Sequence, residues 1–313
     1  MPGFDIALTV VGSINADITA VTDRLPAPGE TVGGGRLLRS PGGKGANQAA
    51  AAARLGARTR MIGAVGTDPT GREMTEALRQ AGVDVDQVAE VDAETGTALI
   101  TVDARGENTI AVCEGANAQV SIADHEFPGT ETVLTQLEIP LATVTALAAA
   151  VRGFFVVNAA PAHPLPAEVV DRADLIIVNE SEYAGLPQLR EARLVAVTYG
   201  AQGAALYEHG EQIAVAPAQT VTSVSTVGAG DAFCAALTIG LRAGLSAETA
   251  LRAANAVGAA AVTDPSARPA FPTFAHFLPD TDDAYHPDPG HPDPDRPRTD
   301  HPNPVHPDSG ARR

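Results

Sequence analysis

Three short stretches carry side chains whose types and spacing suit chemistry on a phosphate and a polyol. The run Ser225-Thr226-Val227-Gly228-Ala229-Gly230-Asp231-Ala232-Phe233 places a carboxylate directly after two glycines. If a helix starts here, Gly228, Ala229 and Gly230 present successive backbone N–H groups at its N-terminus. That is a preorganised cradle for the negative charge of a transferring phosphoryl group. Asp231 stands in the first turn, where the helix dipole should keep it ionised and ready to accept a proton from an attacking hydroxyl. Taken alone, Gly-x-Gly-Asp describes an ordinary helix cap equally well.

The second stretch, Gly42-Gly43-Lys44-Gly45-Ala46-Asn47, lets backbone approach a ligand and opens into a helix whose first amides point outward. It is not a Walker A loop, since Gly45 follows the Gly-Lys pair where Ser or Thr is required. A glycine turn capping a helix is the plain alternative. In the third, Gly12-Ser13-Ile14-Asn15-Ala16-Asp17, an amide and a carboxylate sit at the end of an apolar strand. Ligands of open α/β sheets bind at that edge, and Asn15 and Asp17 can hydrogen-bond neighbouring sugar hydroxyls there. An Asx turn is the alternative.

The elements that must position these stretches alternate along the chain. Apolar patterning predicts strands at 5–12, 59–65, 132–137, 154–157, 175–178 and 194–198, and helices at 44–55, 141–151, 166–172 and 228–243. This order argues for a largely parallel sheet flanked by helices. Two stretches break the pattern. Residues 19–39 are rich in Gly and Pro, and 97–112 reads as a hairpin turning at Ala104-Arg105-Gly106-Glu107. Both fit a small separate sheet, a flap of the kind that excludes water from a phosphoryl donor.

The 313 residues are 44% hydrophobic, enough for a large core. No membrane span or signal peptide is legible, which places the protein in the cytoplasm as an expectation. A formal charge of −17 repels nucleic acid and anionic lipid, so an anionic ligand needs local backbone dipoles and a divalent metal. Cys113 and Cys234 have no metal-site spacing and read as two free thiols in packed positions. Beyond about 279 the composition shifts to repeated His-Pro-Asp-Pro, so 280–313 is predicted to be a disordered tail.

Taken together and in order over about residues 5–272, six segments resemble the ribokinase-like (PfkB) family of sugar and nucleoside kinases. They are the 12–17, 42–47 and 228–231 stretches, Leu25-Pro26-Ala27-Pro28-Gly29-Glu30-Thr31, Asn158-Ala159-Ala160-Pro161 and Asn179-Glu180-Ser181-Glu182. The resemblance implies a doubly wound, mostly parallel α/β sheet flanked by helices within a kinase domain of 1–279. It also implies a small β-sheet lid, segments about 15–40 and 95–113, that forms a homodimer contact. The residues implied to hold the sugar are Asn15, Asp17, Gly42, Gly43, Lys44, Asn47 and Glu138, with Asp231 as base. Those implied on the ATP side are Asn179, Thr198, Gly200, Gly203, Gly230 and Asn255, with Glu182 organising magnesium indirectly. The implied reaction moves the γ-phosphoryl group of ATP to the 5-hydroxyl of D-ribose.

Two departures bear on this. The family's potassium site has an Asp at the position of Ser225 and often a Ser at that of Ala270. Backbone near Val227, Ala261, Asp264 and Ser266 can still ligate, but without the carboxylate a monovalent cation is expected to bind weakly or not at all. The chain is also shorter than its relatives between 179 and 198 and between 121 and 134, which puts in doubt how well the nucleotide edge is formed. Other readings stay open: a kinase for another pentose or a nucleoside, and a non-catalytic sugar-binding regulatory relative. The 4% aromatic content argues against a nucleoside base pocket, and retention of Asp231 argues against a mere binder. A nicotinamide oxidoreductase would need a dinucleotide fingerprint after the first strand, which the sequence lacks.

Overall fold

The computed structural model describes residues 5–278 with the exception of 265 and 267. The predicted tail, 280–313, lies outside the described residues. The described residues form thirteen strands: β1 (Ala7–Val11), β2 (Asn15–Val21), β3 (Arg36–Gly42), β4 (Arg58–Gly66), β5 (Asp84–Val91), β6 (Gly96–Val102), β7 (Asn108–Cys113), β8 (Thr132–Gln136), β9 (Phe154–Asn158), β10 (Leu175–Asn179), β11 (Val195–Thr198), β12 (Ala204–Glu208) and β13 (Glu211–Ala216). The α-helices are α1 (Lys44–Arg54), α2 (Pro69–Gln80), α3 (Leu141–Ala150), α4 (Ala167–Arg172), α5 (Glu180–Gly185), α6 (Ala229–Arg242) and α7 (Ala247–Val262).

Nine strands form one sheet in the order β13-β12-β11-β10-β9-β8-β1-β4-β5. From β11 to β5 all neighbours are parallel, and the β12–β13 hairpin adds two antiparallel strands at one edge. Successive side chains of a strand face opposite sides, so a strand covered on both faces is a continuous apolar run. In β10, Leu175 and Ile177 enter one core and Ile176 and Val178 the other. The first core packs against α1, α2, α6 and α7, the second against α3 and α4. Each fully buried Leu, Ile or Phe contributes roughly 1.5–3 kcal/mol. The doubly wound architecture implied by the sequence is therefore present.

The small sheet is present too, in the order β3-β2-β6-β7. Its β6–β7 hairpin turns at the predicted place, where Asp103 accepts hydrogen bonds from the Arg105 and Glu107 amides at 2.8 and 3.0 Å. The shortened stretch at 121–131 carries no helix, and the 179–198 connection keeps only six-residue α5 and a 3-10 turn, Pro187–Arg190. One expectation is corrected. Cys234 is buried in α6, but Cys113 is exposed, because β7 is an edge strand whose residues are all open to solvent. Among the described residues no helix is long and apolar enough to cross a membrane.

Candidate active site

The chemistry-bearing stretches converge at the carboxyl ends of the parallel strands, where α1 and α6 both begin. Gly228 is the N-cap of α6 with φ 79°, a left-handed conformation that a side chain disfavours. This cap turns the first amides of the helix outward. The structure modifies the three-amide cradle in one respect. The Gly228 and Gly230 N–H groups have no acceptor among the described residues, whereas that of Ala229 makes a long, 3.4 Å contact with the Thr226 carbonyl. A Cβ built on Gly230 meets nothing within 4 Å, so the space before the cradle is open.

Asp231 lies one residue further on, and two amides fix its carboxylate. Asn47 Nδ2 donates to Oδ2 and Gln48 Nε2 to Oδ1, each at 3.1 Å. Each amide is oriented in turn by another donor. Gln136 Nε2 donates to Gln48 Oε1 at 2.7 Å, and Arg268 Nε donates to Asn47 Oδ1 at 3.0 Å. From the sequence, the helix dipole is expected to keep Asp231 ionised. Burial opposes this, lifting its pKa from 3.8 to about 6 against the pull of Lys44 and of the two amide hydrogen bonds. At neutral pH the group is still mostly ionised, and it is basic enough to take a proton. Lys44 feels the reciprocal field: burial alone would lower it, but Asp231 and Glu138 outweigh that and raise it.

Asn15 and Asp17 project from the same face of β2, beside the 42–47 turn, with Asn15 paired to Gly42 and Asp17 to Ser40. The Asn15 amide is oriented by Asn117 Nδ2, which donates to its Oδ1 at 2.6 Å. Asp17 is also lifted to about 6, first by burial, then by Glu138, with Arg268 opposing. Glu138 ties the turn together. Its Oε2 accepts from Ser13 Oγ at 2.6 Å and from the Lys44 backbone N–H at 3.0 Å, capping α1, whose N-cap Gly43 has no side chain to do so. Asn15, Asp17, Gly42, Gly43, Lys44, Asn47, Glu138 and Asp231 thus form one cluster.

Sequence reasoning missed Ser13, Gln48, Asn117, Gln136 and Arg268. Gln48 hides in an alanine-rich helix, and Arg268 sits in a proline-containing loop 221 positions from its partner Asn47. Only a carboxyl-edge position signals Ser13 and Gln136. Nothing local signals Arg268.

On the other side of Asp231, Asn179 and Thr198 end adjacent strands β10 and β11 and pair in register. Asn179 and Glu182 form a capping box: Asn179 Oδ1 accepts from the Glu182 N–H and Glu182 Oε2 from the Asn179 N–H, both at 2.8 Å. Gly200 and Gly203 flank the 3-10 turn after β11. Asn255 tethers α7 to the end of β13, donating to the carbonyls of Ala216 and Pro217 at 2.8 and 3.2 Å. Among the described residues no three His, Cys, Asp or Glu side chains gather to hold a metal. The Glu182 carboxylate is buried and uses Oε2 in the capping box.

The donors for a monovalent cation are adjacent but engaged. The Val262 carbonyl accepts from the Val224 and Ser225 amides, and Ser225 Oγ accepts from the Val227 amide at 3.3 Å. The Ala261 carbonyl accepts from the Asp264 amide, and Asp264 Oδ1 from the Ser266 amide at 2.8 Å. Among the described residues, Ser225 supplies a hydroxyl and no carboxylate on the 225–227 side, and that hydroxyl is already engaged, so the residues present fit such an ion poorly.

Over most of its length the chain is similar to known proteins. The model of the pfkB family carbohydrate kinases matches residues 6–273. The ribokinase of Bacillus subtilis is 37% identical over 283 residues, covering 85% of this chain and 96% of its own. Among solved structures, the ribokinase of Thermotoga maritima superposes with a TM-score of 0.78 at 28% identity, covering 87% of this chain and 98% of the other. That of Arabidopsis thaliana, complexed with ribose and ATP, gives 0.73 at 31%, covering 87% and 97%. An open α/β fold hosts many chemistries, but a family match over most of the chain, on top of a phosphoryl cradle and a positioned carboxylate, narrows them to one: the chain belongs to the pfkB family of carbohydrate kinases and is a sugar kinase.

Proposed function

We propose that this kinase transfers the γ-phosphoryl group of ATP to the 5-hydroxyl of D-ribose, giving ribose 5-phosphate and ADP. The observation that carries the reading is the Asp231 carboxylate, held by Asn47 and Gln48 beside the open N-terminus of α6. Asn15, Asp17, Gly42, Gly43, Lys44, Asn47 and Glu138 hold the sugar, and Asp231 takes the hydroxyl proton as the oxygen attacks. The Gly228, Ala229 and Gly230 backbone stabilises the charge on the transferring group. Asn179, Thr198, Gly200, Gly203, Gly230 and Asn255 face the nucleotide. Magnesium arrives with ATP, where it neutralises phosphate charge, and Glu182 approaches it indirectly. The ribokinases similar to this chain, one of them solved with ribose and ATP, support the substrate pair.

The test is ATP consumption with magnesium against ribose, deoxyribose, fructose, adenosine and no sugar. Ribose-dependent turnover supports the reading. Turnover with adenosine alone would move it to a nucleoside kinase, and silence with every acceptor to a non-catalytic relative. Because the cation loops are already hydrogen-bonded internally, replacing sodium by potassium is expected to change kcat less than twofold. A large activation would overturn that.

The small sheet is read as a lid over the sugar and as a homodimer contact. Leu37 and Leu99 are 58% and 47% exposed on its face opposite Asp17, an apolar patch that a second copy can cover by isologous pairing. Sedimentation equilibrium is expected to give a dimer, and Leu99→Asp a folded monomer. A monomeric wild type would refute the contact. The protein is read as cytoplasmic, and its charge of −17 argues against a nucleic-acid or anionic-membrane partner.

A further inference from the structure

Asn158 ends β9, in one of the six stretches that carry the family resemblance, and holds neither sugar nor nucleotide in the proposed site. Its carboxamide is buried and bonded at both ends. Nδ2 donates to the Ile177 carbonyl at 3.1 Å, and Oδ1 accepts from Gln48 Nε2 at 3.0 Å. The same Gln48 nitrogen donates to Asp231 Oδ1. A side-chain amide can turn over, exchanging donor for acceptor, unless a partner of fixed polarity prevents it. A backbone carbonyl only accepts, so Ile177 decides which way Asn158 faces. Asn158 then presents an acceptor to Gln48, and Gln48 must present its NH2 to Asp231.

Gln136 cannot supply that polarity. Its Nε2 donates to Gln48 Oε1, but its own Oε1 is buried without a hydrogen-bond partner among the described residues. Turned over together, Gln48 and Gln136 would keep their mutual hydrogen bond while Gln48 set an oxygen against Asp231 Oδ1. That arrangement suits a protonated Asp231, which donates, and repels the ionised one. On the other side of the carboxylate Arg268 Nε, a donor only, fixes Asn47 in the same sense. We propose that Asn158 is a positioning residue acting through Gln48: it locks the Gln48–Gln136 amide pair in the one polarity that leaves Asp231 ionised and able to take the sugar proton. This rests on the reading of Asp231 as the base. The groups that act on Asp231 by charge are Lys44 of α1, Asp17 of β2, Glu138 after β8, Cys234 of α6 and Arg268 after α7. An apolar residue at 158 alters none of them.

The test follows kcat against pH for the wild type, Asn158→Leu, Gln48→Met and the double variant, at saturating magnesium-ATP and with the sugar that the wild type turns over fastest. Asn158→Leu leaves the Ile177 carbonyl its bond from the Ala159 amide, at 2.9 Å. Its acid limb is expected about one pH unit above that of the wild type, so that kcat falls about tenfold at pH 5 and hardly at pH 9. Gln48→Met should move the limb at least as far, and the double variant no further than Gln48→Met. An unmoved limb, an equal loss at both pH values, or additive shifts in the double variant would overturn the proposal. Should Asn158→Leu melt well below the wild type, Asn158→Ala makes the same comparison. If Asp231→Asn keeps its activity, or no sugar is phosphorylated, the base reading fails and urea unfolding decides the lock. Relative to the wild type, the unfolding constant of Asn158→Leu should then be at least about fivefold larger at pH 7.5 than at pH 4.5, because a higher folded pKa of Asp231 costs stability as pH rises through it. The same ratio at both pH values would overturn the lock.

Discussion

Asp231→Asn is expected to lower kcat about a thousandfold while leaving a folded protein whose stability responds differently to pH. The rate loss follows from removing a positioned general base. The second effect follows from burial. The Asp231 carboxyl lies at about 6 in the folded protein against 3.8 for an ordinary aspartate, a difference worth about 3 kcal/mol. A group whose folded pKa is raised contributes stability that is complete below its unfolded pKa and lost as pH rises through its folded one. Between about pH 4 and pH 6 the wild type therefore loses stability that the asparagine variant keeps. Urea unfolding of both proteins at pH 4.5 and 7.5 should show the difference moving toward the variant by about 2 kcal/mol. An unchanged difference would mean that the carboxylate is well solvated. Since Asp17 is raised to about 6 as well, wild-type kcat/KM should fall more steeply than one decade per pH unit below 6.

Gly45→Ala is expected to destabilise the protein by about 1–3 kcal/mol and to raise the sugar KM at least tenfold, with little change in the ATP KM. Helix propensity alone predicts the opposite sign for stability, since alanine is favoured over glycine inside a helix by about 1 kcal/mol. Sterics decide it. A Cβ on Gly45 would stand 2.6 Å from the Ser13 backbone N and 2.7 Å from the Gly12 carbonyl carbon, and neither can rotate away. Helix α1 would have to lift from β1. That would break the Gly45 N–H to Ser13 Oγ and Ala46 N–H to Ser13 carbonyl contacts, at 3.2 and 2.9 Å, that seat the sugar residues. Thermal melts and initial rates check both effects, and an alanine variant as stable as the wild type would refute the close approach.

The parallel strands were legible where both faces are buried, because such a strand must be apolar throughout, as in Leu175-Ile176-Ile177-Val178; the edge strand β5, Asp84–Val91, half exposed and rich in Asp and Glu, was not. The β12–β13 hairpin was not. Its strands mix Ala, Glu and Gln, and its turn uses His209 at φ 48° before Gly210, an uncommon conformation for a non-glycine residue. For the site, Gly228 to Asp231 and Asn15 to Asp17 could be named because a backbone requirement or a strand end marks them locally. The groups that orient them could not, because Gln48, Gln136 and Arg268 acquire their meaning from contacts across the fold. The burial that raises the Asp231 pKa was not legible for the same reason: the dipole belongs to the local helix, whereas the desolvation comes from everything packed around it.

The small sheet has a mechanical property set by its register. Asn15, Gly42 and Gly96, where β2 begins, β3 ends and β6 begins, lie in one transverse row. A swing of the sheet about that row works as a lever with its fulcrum beside the 42–47 turn. At about 3.3 Å per residue, Asp17 stands roughly 7 Å from the axis and Val21 roughly 20 Å. A rotation of about 15° would then sweep the tip some 5 Å and Asp17 under 2 Å. The Asp17 carboxylate, proposed to hold the sugar, travels least, so the entrance can gape widely while that group hardly moves.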